Sequence, residues 1–238
     1  MSAGNAYWEP LESYEPGVLV GRLEDELRPY FESISLIVRS FIERNKEDFV
    51  KTLPYRIYNE KAVIDFCAQD MLEMGKSLGP DTDVYVFIAR QLEDEAKHFM
   101  MLKRVYEKLS GRPFSLSSVK PAYAPTKYGR LVQQGEVLRR AANRYAGEGA
   151  AYIPAKLTAE LVGGEIGRAY NVIEKDEFFH KRLGQLGLES WLTSKESFEK
   201  VRETIAERRS ASMRMWLDIY GFNKEAVELF EANYGGIE

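Results

Sequence analysis

The 238-residue chain has one cysteine, Cys67, and two histidines, His98 and His180. A lone thiol excludes an intrachain disulfide and any cluster built on several thiolates. No basic excess marks a nucleic-acid partner, because 33 Lys and Arg face 37 Asp and Glu for a net charge of −4. The N-terminus, Met1-Ser-Ala-Gly-Asn-Ala-Tyr-Trp8, has neither a basic segment nor an apolar stretch, and no run of 18 apolar residues occurs. The expectation is a cytoplasmic protein with no membrane partner. A phosphate-binding glycine motif, low-complexity tracts and strand-like alternation are missing too. What remains is helical periodicity, and with 45% apolar and 29% charged residues it predicts an all-α globular fold of one domain over residues 1–238.

Proline and glycine concentrate at Pro54, Gly79-Pro80, Gly111 to Pro125 and near the C-terminus, and they punctuate the helices. A first amphipathic helix is expected from about Glu24 to Asp48, with Leu27, Tyr30, Phe31, Ile34, Leu36, Ile37 and Phe41 on its apolar side, as cover for a bundle. A second starts after Pro54. A third runs from about Val84 to Leu109 with Thr82 or Asp83 as its cap, and the short turn between the two makes them antiparallel neighbours. The segment from Gly111 to Lys127 is long enough to cross the end of a bundle. Helical pattern resumes at Tyr128, with a kink expected at Pro154 and a break at Gly163-Gly164. Further helices are expected from Ser194 to Tyr220 and from Asn223 to Tyr234.

Both histidines close the same tetrad: Asp94-Glu95-Ala96-Lys97-His98 and Asp176-Glu177-Phe178-Phe179-His180. Residues i and i+3 share a helix face, so each Glu-x-x-His can offer a carboxylate oxygen and an imidazole nitrogen to one point in space. A single such turn is a weak signal. Its doubling at the only two histidines points to metal, and it leaves no histidine for a Ser-His-Asp or Cys-His catalytic set. Each motif also follows an acid by about thirty residues, Glu148 before Glu177, and Glu60 or Asp65 before Glu95. Glu60 lies in the apolar stripe Ile57, Val63, Ile64, Cys67, Met71 and Met74, where an unpartnered carboxylate would be costly. Equal distance from the turn favours Asp65 instead, on a different face with Lys61 and Gln69.

At these residues the chain resembles the ferritin-like di-iron carboxylate oxygenases, and among them the catalytic subunit of the phenylacetyl-CoA epoxidase family. The resemblance runs through Leu92-Glu-Asp-Glu-Ala-Lys-His98, and from Glu148-Gly-Ala-Ala through Ile173-Glu-Lys-Asp-Glu-Phe-Phe-His180 to Gly184, roughly a third of the chain. It implies a ferritin-like four-helix bundle over about 54–190 with additional N- and C-terminal helices. The implied ligands, which would also be the catalytic residues, are Glu60, Glu95, His98, Glu148, Glu177 and His180, with Asp94 and Asp176 hydrogen-bonding the imidazole nitrogens that face away from the metals. It further implies two iron ions, or a manganese–iron pair, with O₂ as co-substrate in the oxidation of a small organic substrate held in the apolar core. Four carboxylates with two histidines suit iron with open positions better than closed tetrahedral zinc.

No flavin, nicotinamide or iron–sulfur motif is present, so electrons would come from an external ferredoxin or reductase, and a homodimer or partner subunit is compatible with such bundles. Two other chemistries fit the ligands. One is a ferritin- or rubrerythrin-like protein that handles iron or reduces peroxide; the other is a radical-generating oxidase using Tyr145, Tyr152 or Tyr170. The simpler role for those tyrosines, and for Met71, Phe99, Met100, Met101 and Trp216, is core filling, and Glu207-Arg208-Arg209 reads as a solvated helix face.

Overall fold

The structure is a computed structural model that describes residues 15–78, 83–119 and 137–237. Every regular element among them is helical: α1 (Pro16–Asn45), α2 (Leu53–Leu78), α3 (Asp83–Ser110), α4 (Val137–Leu161), α5 (Gly164–Trp191), α6 (Lys195–Tyr220) and α7 (Lys224–Tyr234). Short 3₁₀ turns at Lys46–Thr52 and Leu116–Ser118 complete them. No helix among the described residues is long and apolar enough to cross a membrane.

The first helix starts eight residues before the expected Glu24, because Pro16 supplies a preformed first turn and Leu19, Val20 and Leu23 extend the buried stripe. Pro29 lies inside α1, at a cost of about 3 kcal/mol for a helix interior. Burial of Leu23, Leu27, Tyr30, Ile34 and Ile37 offsets it, at about 1.5–3 kcal/mol for each fully buried large apolar side chain. The helix covers the bundle by packing against α4, α5, α6 and α7. Asp83 opens α3, whereas the proposed cap Thr82, the later part of the 111–127 connection and the expected helix start at Tyr128 lie outside the described residues.

The expected kink at Pro154 does not interrupt α4, which is helical through that position, and Thr158 Oγ1 donates to the Pro154 carbonyl at 2.6 Å. Gly163 and Gly164 have φ of 75° and 59°, the left-handed region that glycine enters without strain, and they turn the chain from α4 into α5. Ser194 and Asn223, the expected starts of the last two helices, cap α6 and α7 through their side chains.

Four helices form the bundle proper, in two hairpins. Glu60 of α2 faces His98 of α3, and Cys67 packs with Ile88, so these two helices run antiparallel. In the second hairpin Tyr145 of α4 meets Gly184 of α5, and Ala141 meets Gly187. A Cβ on Gly184 would sit 2.5 Å from the Tyr145 backbone nitrogen, so this crossing requires glycine. The hairpins join where α3 packs on α5 and where Asp70 of α2 bonds Arg140 and Arg144 of α4.

Candidate metal centre

Inside the bundle, α2 contributes Glu60, α3 contributes Gln91, Glu95 and His98, α4 contributes Glu148, and α5 contributes Glu177 and His180. All are fully buried except Glu148, which is partly so. Two groups of side chains stand close enough to share an ion: Glu95, Glu148, Glu177 and His180, and Glu60, Glu95 and His98, with ligand atoms within 4.8 Å of one another in each. Glu95 belongs to both groups. The structure therefore brings all six implied ligands into one cluster. Asp65 is elsewhere, exposed and paired with Lys61 on the outer face of α2, so hydrophobic pattern located the acid better than distance from the turn.

Both imidazoles turn Nδ1 inward. His180 Nδ1 is 3.1 Å from Glu95 and 3.7 Å from Glu177; His98 Nδ1 is 3.7 Å from Glu60 and from Glu95. The outward Nε2 atoms meet the aspartates, but crosswise. His98 Nε2 lies 3.0 Å from Asp176, and His180 Nε2 lies 3.5 Å from Asp94, so each motif's aspartate serves the other motif's histidine. Lys97 spans both aspartates, at 2.9 Å from Asp94 and 2.7 Å from Asp176. Nothing in the linear spacing marks Lys97 for this position, which depends on how α3 and α5 pack.

Further residues support the cluster. Gln91 donates to Glu148 at 2.8 Å and to Glu95 at 3.2 Å. Arg56, fully buried one turn before Glu60, has its guanidinium 3.6 Å from Glu60 Oε1 and over the ring of Trp216. Sequence reasoning missed Arg56, although its i−4 spacing from an acid in an apolar stripe is a legible signal. Tyr170 is buried near Arg56, and burial raises its phenol's pKa well above the ordinary value. Tyr145 is buried at the α4–α5 crossing, whereas Tyr152 is half-buried against Phe178. Met100, expected in the core, is exposed.

The electrostatics follow from burial and neighbours. Desolvation raises Glu60, and it pushes Glu177 up to about 8. The same burial acts on Glu95, but the two imidazoles beside it bring its pKa well below the ordinary value. Burial opposes the charged imidazole of His98, yet Asp176, Glu60 and Glu95 hold its proton and raise it to about 12. His180 is raised well above its ordinary value for the corresponding reason, with Asp94, Glu177 and Glu95 as the acids. Asp94 falls to about 2, chiefly through His180.

The test of fit for cations lies in the inward-facing atoms. His98 Nδ1, Glu177 Oε2 and His180 Nδ1 are buried without a well-formed hydrogen bond, in a protein interior where such groups are nearly always satisfied. Carboxylate oxygens and imidazole nitrogens converging in this way are a donor set for divalent first-row metals. The chain matches no family model, no curated protein and no solved structure.

Proposed function

We propose that the chain is a ferritin-like dinuclear metalloprotein, a di-iron oxygenase that uses O₂ and two external electrons to oxidise a small organic substrate. The observation that carries this reading is the six-ligand cluster centred on Glu95, with its unsatisfied inward-facing atoms. Its resemblance to the di-iron carboxylate oxygenases, through the two Asp-Glu-x-x-His motifs, supports the choice of iron. When bound, a pair of iron ions supplies the redox chemistry: O₂, two electrons and two protons yield one oxidised substrate and one water.

The protein's own contribution is positioning and proton control. Asp176 accepts from His98 Nε2 and Asp94 faces His180 Nε2 at 3.5 Å, which turns each Nδ1 toward the centre and orients both rings. Lys97 bridges the two aspartates and favours their charged forms. Gln91 holds Glu148 and Glu95 from the α3 side. Arg56 draws Oε1 of Glu60 while Oε2 faces His98, so this carboxylate offers one oxygen to the centre. The buried walls keep bulk water from the site.

The test is elemental analysis after anaerobic reconstitution with Fe(II), followed by O₂ uptake. About two irons per chain, together with O₂ consumption that depends on a chemical reductant and accelerates with an organic substrate, is the expected result. No metal gain on reconstitution overturns the reading. Continued uptake of many irons per chain in air identifies an iron store instead.

A further inference from the structure

Beside the cluster, α2, α4 and α6 enclose a cavity, and Glu148 forms part of its wall. Its enclosed part is about 30 Å³, room for about two water molecules, and with its mouth the unfilled space comes to about 560 Å³. Val63, Phe66, Met215 and Trp216 make one side apolar. On the α4 side Gly147 leaves room for Arg208 of α6 to close over it, where a Cβ would be 2.8 Å from Nη2.

Two observations decide what chemistry this space accepts. First, the charged groups of the wall are already engaged. Asp70 binds Arg140 and Arg144, Arg208 has partners of its own, and Glu148 accepts from Gln91 at 2.8 Å and serves the metals in the function proposed above. None of them calls for a charged ligand. Second, Asn143 is uncharged, 1% exposed, and its side-chain oxygen has no hydrogen-bond partner, whereas buried polar groups are nearly always paired. By a half-turn about its last bond this amide presents either its oxygen or its NH₂ to the cavity. A head that both donates and accepts, a hydroxyl or a carboxamide, therefore pairs with it in either setting. Asn143 precedes Glu148 by five residues of α4, about 7.5 Å along the helix axis, so a molecule anchored at one extends toward the other.

We propose that this cavity binds the hydroxyl or carboxamide head of a small uncharged molecule, and that Asn143 is the residue that selects it. The enclosed part takes the head, and the mouth takes the carbon frame against Val63, Phe66 and Trp216. A purely apolar molecule leaves the Asn143 amide buried and unpaired, which lowers its affinity. The proposal rests on the dinuclear reading for the role of Glu148, and with that role it names the substrate class of the centre: neutral molecules with one polar head, in place of the wholly apolar seat that the sequence leads one to expect.

The experiment is a ligand-observed NMR titration of the protein loaded with Zn(II), which carries no redox chemistry. Benzyl alcohol and benzamide supply the two heads, and toluene is the same frame without one. At least one of the headed molecules is expected to bind at least about fivefold more tightly than toluene, and the tighter of the two identifies the head. Asn143→Leu, close in volume and without a polar side-chain atom, is expected to abolish that preference. Val63→Phe, which fills the mouth, is expected to weaken all three molecules. Circular dichroism and the unfolding midpoint show that each variant is folded, and the comparison in the unaltered chain decides the matter if Asn143→Leu does not fold. Toluene binding as tightly as both headed molecules would mean that water alone satisfies Asn143, and it overturns the proposal. A preference that survives in Asn143→Leu, or affinities unchanged in Val63→Phe, overturns it too. Metal content measured on the same samples keeps the two readings apart. A chain that takes up no metal but shows the Asn143-dependent preference sinks the dinuclear function alone; two metals without that preference sink this site alone.

Discussion

Glu60 divides its two oxygens between a buried guanidinium and the metal-facing side, and this sets what its loss would do. Glu60→Ala is expected to reduce metal content from about two per chain toward one, whereas Asp65→Ala leaves it unchanged, as read by elemental analysis. The same outcome with the two variants exchanged would return the α2 ligand to Asp65. The crossed aspartates predict a second asymmetry. Asp176→Ala should weaken metal at the subsite of His98, by roughly 10- to 100-fold, rather than at the subsite of His180 in its own motif. Competition with a chelator measures it, and equal weakening at both subsites would contradict the crossing. Proton balance gives a third prediction. With His98 raised to about 12, His180 raised well above its ordinary value and Glu177 raised to about 8, the metal-free site holds protons at neutral pH that metals must displace. Metal binding is therefore expected to release about two to three protons per chain, and apparent affinity to increase with pH, as followed with an indicator in weak buffer. For the metal-free fold the sign is opposite: the raised histidine values contribute stability that is present below the unfolded pKa and lost only as pH rises through the folded one. Metal uptake without proton release would show that the imidazoles are already neutral.

At the scale of elements, the tightest constraint is the α4–α5 crossing. Gly184→Ala forces a methyl against the Tyr145 backbone, which cannot swing away as a side chain would, and should destabilise the fold by about 3 kcal/mol in urea unfolding. Gly21→Ala is the contrast, because nothing lies within 4 Å of its Cβ position in α1, and the better helix former should add about 0.5–1 kcal/mol. If both variants behave alike, the close approach is not what Gly184 is for. These helices were readable in outline from periodicity and from proline and glycine, because burying one face imposes a 3.6-residue pattern on any sequence. The inward stripe of α2 located Glu60 for the same reason. Residues whose roles depend on contacts between distant helices were not readable. Lys97 meets Asp176 only after α3 docks on α5, and Arg208 leaves its apparent solvent face only because Gly147 on another helix makes room. Pro154 misled in the other direction: the surrounding packing holds α4 helical through a residue whose local chemistry argues for a bend.

For the molecule as a whole, four helices converge on three buried carboxylates and the half-buried Glu148, and desolvation opposes bringing them together. In the metal-free chain the two protonated histidines balance part of that charge, and metals would balance more. Loading with Fe(II), or Zn(II) as a redox-inert substitute, is expected to raise the unfolding midpoint, with a gain of about 4 kcal/mol at a free metal concentration a thousand times the dissociation constant. Calorimetry before and after chelation measures it, and a midpoint indifferent to metal would mean that the cluster does not bind ions in the folded chain. The crossed histidine–aspartate pairs also bear on the order of assembly. His98 takes its orienting carboxylate from the second hairpin and His180 takes its own from the first, so a hairpin folding alone has an imidazole free to spin and only half of its ligands. Neither hairpin can act as a nucleus that gathers metal and recruits the other. In the proposed function, metal capture would then come at the end of folding, as a latch that closes after the two halves have found each other by their apolar faces.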